Sequence, residues 1–307
     1  MMRMSKPAKL KDKIEWSWGN SPILLPLAYE HREWNSINTA FYLAEYSGSK
    51  VIVFHVKTEL SDKSIREKTL KSIDEFATCF NVNYEIKETQ TLVSSKDIAK
   101  ISDEIAFATK EYRCQAVVMS AYKEGFVREF FGRISDRVAR KAECDVVLVE
   151  TPRTGMSIPR QIKEIVIPIL KDGFTPAPLI IAAALTSSAS IPDYELLVAR
   201  VVNIPLTTSM DAIESTRFFH KVEATFSQKI AVAIGSLGRL FSPKLLAVRD
   251  VGVDVVNYAK ETKADMIIME SNKPGRLGPV MTKDEYAIIR RAPCITLVVF
   301  PAKRIAL

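Results

Sequence analysis

The chain states one pattern twice, and this constrains its fold more than any other feature. "RKAECDVVLVE" (140–150) and "RRAPCITLVVF" (290–300) both read basic, basic, Ala, x, Cys and then an apolar run, with Cys144 and Cys294 offset by 150. The same offset joins "CQAVVMSAYK" (114–123) to "ADMIIMESNK" (264–273). Nearer the start, "SPILLPLAY" (21–29) corresponds to "KEIVIPILK" (163–171), with Pro26 against Pro168 and a smaller offset of 142. An insertion in the second half absorbs the drift. A repeat this long implies one structural unit used twice. Between the copies, "TPRTGMSIPRQ" (151–161) has two prolines, a glycine and no periodicity, which is linker chemistry. The expected divisions are a basic N-terminal arm (1–19), a first domain (20–151), a linker (152–161) and a second domain (162–303).

Within each copy short β-branched runs alternate with longer helical patterns. The first copy predicts strands at 22–28, 50–56, 82–87, 115–121 and 144–150, and the second at 164–170, 195–202, 243–249, 265–270 and 294–300. Helix-like stretches separate them; "IAKISDEIAFATKEY" (98–112) places Ile98, Ile101, Ile105 and Ala108 on one face. Near-continuous apolar strands between amphipathic helices imply parallel sheets covered on both faces. The fold class is therefore α/β: two tandem five-stranded parallel-sheet sandwich domains. Strands 144–150 and 294–300 would each be an apolar edge if the sheets stood alone, and such edges are covered or paired. Both lie on one chain, so Val146–Val149 and Thr296–Val299 can pair internally, giving a pseudo-dimer. Further homodimerisation through another surface stays open.

The longest strongly apolar stretch, "APLIIAAAL" (177–185), is far shorter than the roughly 20 residues of a membrane-spanning helix. The N-terminus is basic without the apolar centre of a secretory signal. Cys79, Cys114, Cys144 and Cys294 form no CxxC pair and no metal spacing with His31, His55 and His220, so a reduced, cytoplasmic setting fits. The net charge of +7 favours anionic partners, but no Lys/Arg run interleaved with aromatics marks a nucleic-acid face. No Ser-His-Asp, paired-carboxylate or metal constellation emerges.

Several features carry a resemblance when taken in order: Pro26 in the first strand, "FHV" (54–56) in the second, "AVVMS" (116–120) in the fourth, and the close "APCITLVV" (292–299), with "AECDVVLV" (142–149) as its counterpart. Together they resemble the universal stress protein family in its tandem two-domain form, across nearly the whole chain from about residue 20. The resemblance implies a Rossmann-like fold of the adenine nucleotide alpha hydrolase type. In nucleotide-binding members an Asp ends the first strand. A loop reading Gly-x-x-Gly, a spacer and then Gly-Ser or Gly-Thr follows the fourth. The physical need is close backbone approach to phosphates at a helix N-terminus.

Carried over by position, that pattern is degraded here. The Asp falls on Ala28 and Leu170, and the first loop glycine on Ser120 and Glu270. The second falls on Lys123 and Lys273, and the loop closes on Gly132–Arg133 and Thr282–Lys283. In the first copy the spacer is one residue short, although Gly125 and Gly132 remain. Ser120, Lys123, Gly125, Gly132, Arg133 and Ser135 form the candidate anion or nucleotide site, with Ser135 able to cap the next helix or donate to an anion. In the second copy the weaker candidates are Lys273, Arg276 and Lys283, and Glu270 would place a carboxylate where phosphate should come.

The reading this supports is a non-enzymatic stress-response or regulatory protein acting through a protein partner. The alternative is a sensor of ATP, ADP or AMP, or of another phosphate ligand, in the first copy. Related domains occur fused to or beside membrane transporters, so a transporter is one of the partner classes. His55, at the end of the second strand, reads as a hydrogen-bonded structural residue.

Overall fold

The computed structural model describes residues 19–29, 33–59, 63–121, 133–152, 157–158, 162–171, 173–187, 195–204, 209, 217–234, 240–272 and 280–302. The first half runs β1 (Ile23–Pro26), α1 (Trp34–Ser47), β2 (Val51–His55), α2 (Lys63–Phe80), β3 (Tyr84–Glu88), α3 (Ile98–Glu111), β4 (Ala116–Ser120), α4 (Arg133–Lys141) and β5 (Asp145–Glu150). The second half runs β6 (Glu164–Ile169), α5 (Ala177–Ser187), β7 (Glu195–Asn203), α6 (Arg217–Ile234), β8 (Phe241–Val248), α7 (Val251–Glu261), β9 (Met266–Glu270), α8 (Lys283–Arg291) and β10 (Ile295–Phe300). Every strand falls where the sequence pattern places it, within a few residues at the ends.

The ten strands form one sheet in the order β3-β2-β1-β4-β5-β10-β9-β6-β7-β8. Each half is internally parallel and has the same strand order. The halves meet through an antiparallel β5–β10 ladder, with Thr296 opposite Glu150 and Phe300 opposite Val146. The two apolar strands that would otherwise be edges thus satisfy each other, as the pseudo-dimer reading expects. The true edges are blunted differently. β3 alternates charge through Glu85 and Lys87, which pair with each other, and β8 carries Pro243 and Lys244.

Side chains alternate across this sheet into two apolar layers, each continuous from one half to the other. Ile23, Leu25, Val147, Val149, Ile165, Leu297 and Val299 face the layer covered by α1, α2, α5 and α6. Leu24, Val146, Leu148, Val166, Val298 and Phe300 face the layer of α3, α4, α7 and α8. α1 packs directly on α5 across the junction. Asn35, in the first turn of α1, binds Thr151 and Ile158, which lie between β5 and β6. Its Nδ2 donates to Thr151 Oγ1 at 2.8 Å, and its Oδ1 accepts from Ile158 N at 2.8 Å.

Pro26 and Pro168 mark where each half-sheet splits. β1 stays paired with β2 as far as Pro26–Phe54 but with β4 only at Ile23 and Leu24. Leu27 N donates to Phe54 O on the β2 side, so by alternation the position of Pro26 nitrogen faces β4, where pairing has already ended. A residue without an N–H is tolerated at that point because no ladder bond is lost. β6 repeats the arrangement: paired with β7 through Ile169, but with β9 only at Ile165 and Val166. Each half therefore opens a crevice beyond the strand C-termini, at its β1/β4 or β6/β9 boundary.

At the opposite end of the second half-sheet, Glu164 meets Glu195 and Asp265. Burial first, then these two carboxylates, pushes its carboxyl above the ordinary range. The folded state binds this proton more tightly than the unfolded state, so ionised Glu164 weakens the fold at neutral pH, a penalty relieved as pH falls through the raised value. Glu164→Gln is accordingly expected to raise the melting temperature at pH 7 and to lose that advantage in acid. Melting curves across pH check this; an advantage that grows in acid would contradict it.

Candidate functional site

The strand order makes the boundary between first and fourth strands the topological switch point of each half, where ligands of open parallel sheets bind. The two crevices at these points are built differently.

In the first half, β1 is followed by Leu27, Ala28 and Tyr29, the last in the left-handed region at φ 62°. The Ala28 amide donates to Glu33 Oε1 at 2.6 Å. Glu33 precedes α1, and its side chain makes no cap bond to that helix. Ser36 Oγ donates to the Glu33 carbonyl at 2.7 Å, and Ser120 Oγ, at the end of β4, donates to Ser36 Oγ at 3.0 Å. Two hydroxyls and a carboxylate thus line this crevice.

Beside it, His55 is buried with Nδ1 2.9 Å from the Leu27 carbonyl; since a carbonyl only accepts, Nδ1 carries the proton. Burial lowers the His55 pKa, which keeps the ring neutral at pH 7. Tyr29 packs on His55 with ring centroids 4.7 Å apart, and the Arg66 guanidinium lies 5.4 Å from the Tyr29 centroid. Arg66 and Lys57 both pair with Glu88. The buried, carbonyl-bonded ring has the environment of a hydrogen-bonded packing residue.

In the second half the residue at the end of the fourth strand is Glu270, buried with its side chain 5% exposed. Its Oε2 accepts from both Thr175 N and Thr175 Oγ1 at 2.7 Å, immediately before α5. Its Oε1 lies 3.4 Å from Lys171 Nζ. Lys171 also bonds Asn272 Oδ1, so two residues beyond each strand end converge on one point. Three donors, an amide, a hydroxyl and an ammonium, thus converge on the Glu270 carboxylate.

The helix that would receive phosphate in the second half is also internally satisfied. Thr282 caps α8 in a reciprocal box: Thr282 N donates to Glu285 Oε2 at 2.6 Å and Glu285 N donates to Thr282 Oγ1 at 3.2 Å. Asp284 adds a second acid to that first turn. Lys283, the first residue of α8, is exposed.

Of the first-copy candidates, Ser120 ends β4 and bonds Ser36 of α1. Ser135 is the third residue of α4 and buried, so it is not that helix's cap. Arg133 begins α4. Lys123, Gly125 and Gly132, with Lys273 and Arg276 in the second copy, lie outside the described residues. Sequence reasoning misses Glu33, Ser36, Lys171 and Thr175. The one available signal is position: each lies between a first strand and the first turn of the helix after it.

Among the described residues no group of His, Cys, Asp and Glu could hold a metal ion, and no helix is long and apolar enough to cross a membrane. Burial pushes the Cys114 and Cys294 thiols up to about 12, which makes them inert packing groups.

Residues 20–150 match the sequence profile of the Universal stress protein family. No curated protein matches the chain in sequence. Among solved structures, a universal stress protein from Archaeoglobus fulgidus shares 13% identity at a TM-score of 0.60, covering 93% of this chain and 98% of that one. A functionally unknown protein from Pseudomonas aeruginosa shares 13% identity at a TM-score of 0.54, with 92% of each chain covered. The cytoplasmic domain of a prokaryotic cation chloride cotransporter shares 13% identity at a TM-score of 0.52, covering 92% of this chain and 96% of that one. At these identities the likeness is one of fold, and it spans both halves.

Proposed function

We propose that this chain, whose first half belongs to the universal stress protein family, is a non-enzymatic regulatory protein that works through contact with a protein partner. The observation that most supports this is Glu270. A crevice already holding a hydrogen-bonded, ion-paired carboxylate presents the wrong sign of charge to a nucleotide phosphate. The described crevice residues also include no activated nucleophile or paired acid and base. The cotransporter likeness makes a membrane transporter one partner class to test, and the cytoplasm the compartment to look in.

A specific observation favours a second reading for the first half. Ser36 and Ser120 leave hydroxyls, rather than a carboxylate, at the equivalent point of that crevice. There an adenine nucleotide, as ATP, ADP or AMP, or another phosphate ligand could be held by side chains from Ser120 through Ser135.

Denaturing the purified protein and chromatographing the supernatant separates the two readings, followed by calorimetric titration of ATP, ADP and AMP. The partner reading expects no released nucleotide and no binding heat at millimolar ligand. One equivalent of nucleotide, weakened about tenfold (1.4 kcal/mol) in Ser36→Ala, would establish the sensor reading and overturn the first.

A further inference from the structure

We infer that the last residue of the fourth strand is the gate of each crevice, and that Glu270 is a tethered substitute for an oxyanion that holds the second crevice shut. The inference rests on the crevice reading above, but its test does not require that the first half bind anything.

The two halves supply the comparison. In each, this residue reaches the start of the first helix: Ser120 to Ser36 in α1, and Glu270 to Thr175 before α5. In the first half the contact joins two hydroxyls, Ser120 Oγ and Ser36 Oγ. In the second it is a carboxylate that collects an amide, a hydroxyl and an ammonium. Those donors are the types that bind a phosphate or sulfate oxygen.

Burying a carboxylate is costly unless it is paired and hydrogen-bonded, and here each of its oxygens has at least one partner. An ordinary apolar residue in this β9 position would have filled the space without that cost. The carboxylate therefore stands where its donors ask for an anion. It competes with any incoming oxyanion at an effective concentration no free ligand matches, because it is part of the chain. Lys171, with its side chain 30% exposed, marks the side from which an ion would approach once the carboxylate is gone.

A packing role alone predicts something different from a gate. If Glu270 only ties β9 to α5, its removal weakens the fold and nothing more. If it is a gate, its removal also leaves Thr175 and Lys171 needing an anion.

The test uses the full chain and inorganic phosphate as the probe, with sulfate as a second anion and chloride at matched ionic strength as reference. Glu270→Ser installs the residue of the other half, and Glu270→Gln keeps the size while removing the charge. The expected result is a melting temperature that rises with phosphate in either variant but not in the wild type, with phosphate binding at least tenfold tighter than wild type by calorimetry. Thr175→Val in the Glu270→Ser background should abolish the gain. A folded Glu270→Ser or Glu270→Gln protein whose stability and binding heats ignore phosphate overturns the gate. So does a wild type that responds equally, or a gain that survives Thr175→Val. Should Glu270→Ser fail to fold, Glu270→Gln decides alone.

Discussion

Phe300→Ala is expected to remove about 3–5 kcal/mol of folding stability, the ordinary cost of truncating a fully buried phenylalanine. The side chain is 0% exposed and sits in β10 opposite Val146, facing the layer under α3, α4, α7 and α8. That layer is shared by both halves, so the cavity opens in neither domain alone. Against a total stability of about 5–15 kcal/mol this is a large fraction. The loss should appear in urea denaturation followed by circular dichroism as one transition moved to lower denaturant, with little change in slope. A cost below about 1 kcal/mol would mean that the two half-sheets do not depend on their common seam. Two separated transitions, only one of them shifted, would mean the same.

That seam is legible in the amino-acid sequence because of what an unpaired strand costs. "DVVLVE" and "ITLVVF" are too apolar to be exposed edges, and one chain carrying both has a partner at hand. The strand order is legible only in outline. Apolar runs signal a buried parallel sheet, but which strands lie side by side depends on crossovers that leave no residue signature. Pro26 and Pro168 are informative once the pairing is known, since they stand where β1 leaves β4 and β6 leaves β9.

The candidate site is less completely written in the residues. Ser120 and Glu270 stand out because the repeat and the family pattern assign them a position, and the sign of Glu270 already argues against a phosphate. Glu33 and Thr175 do not stand out. Neither belongs to a motif, and each acts through a bond formed only when a loop folds back: Glu33 to the Ala28 amide, Thr175 to the Glu270 carboxylate. A sequence shows that a residue can accept or donate. It does not show which group will be brought within 3 Å, and self-occupancy of a crevice is a property of that second kind.

The same limit hides Asn35, whose replacement by alanine is the second large effect expected. Asn35 is buried at 4% exposure, and its amide is used at both ends, donating to Thr151 Oγ1 and accepting from Ile158 N. Thr151 directly follows β5, and Ile158 is itself buried at 6%, so one side chain holds the chain after β5 at two points seven residues apart. Asn35→Ala loses both bonds and leaves the Ile158 N–H buried without its acceptor. A made hydrogen bond is worth about 1 kcal/mol and an orphaned buried donor costs about 1–3, so the expected loss is about 2–4 kcal/mol. Thr151→Val removes only the first bond and should cost about 1 kcal/mol. In the Asn35→Ala background Thr151→Val should cost almost nothing further, because the bond it removes is already gone. Strictly additive losses in that cycle would show that the two residues do not act through each other. A loss in Asn35→Ala below about 0.5 kcal/mol would show that the linker is held by other means. Asn35 is also the neighbour of Ser36, so the helix turn lining the first crevice is the turn that holds the linker. Asn35→Ala should therefore weaken the protein without altering the phosphate response of Glu270→Ser, whose donors lie on the other half.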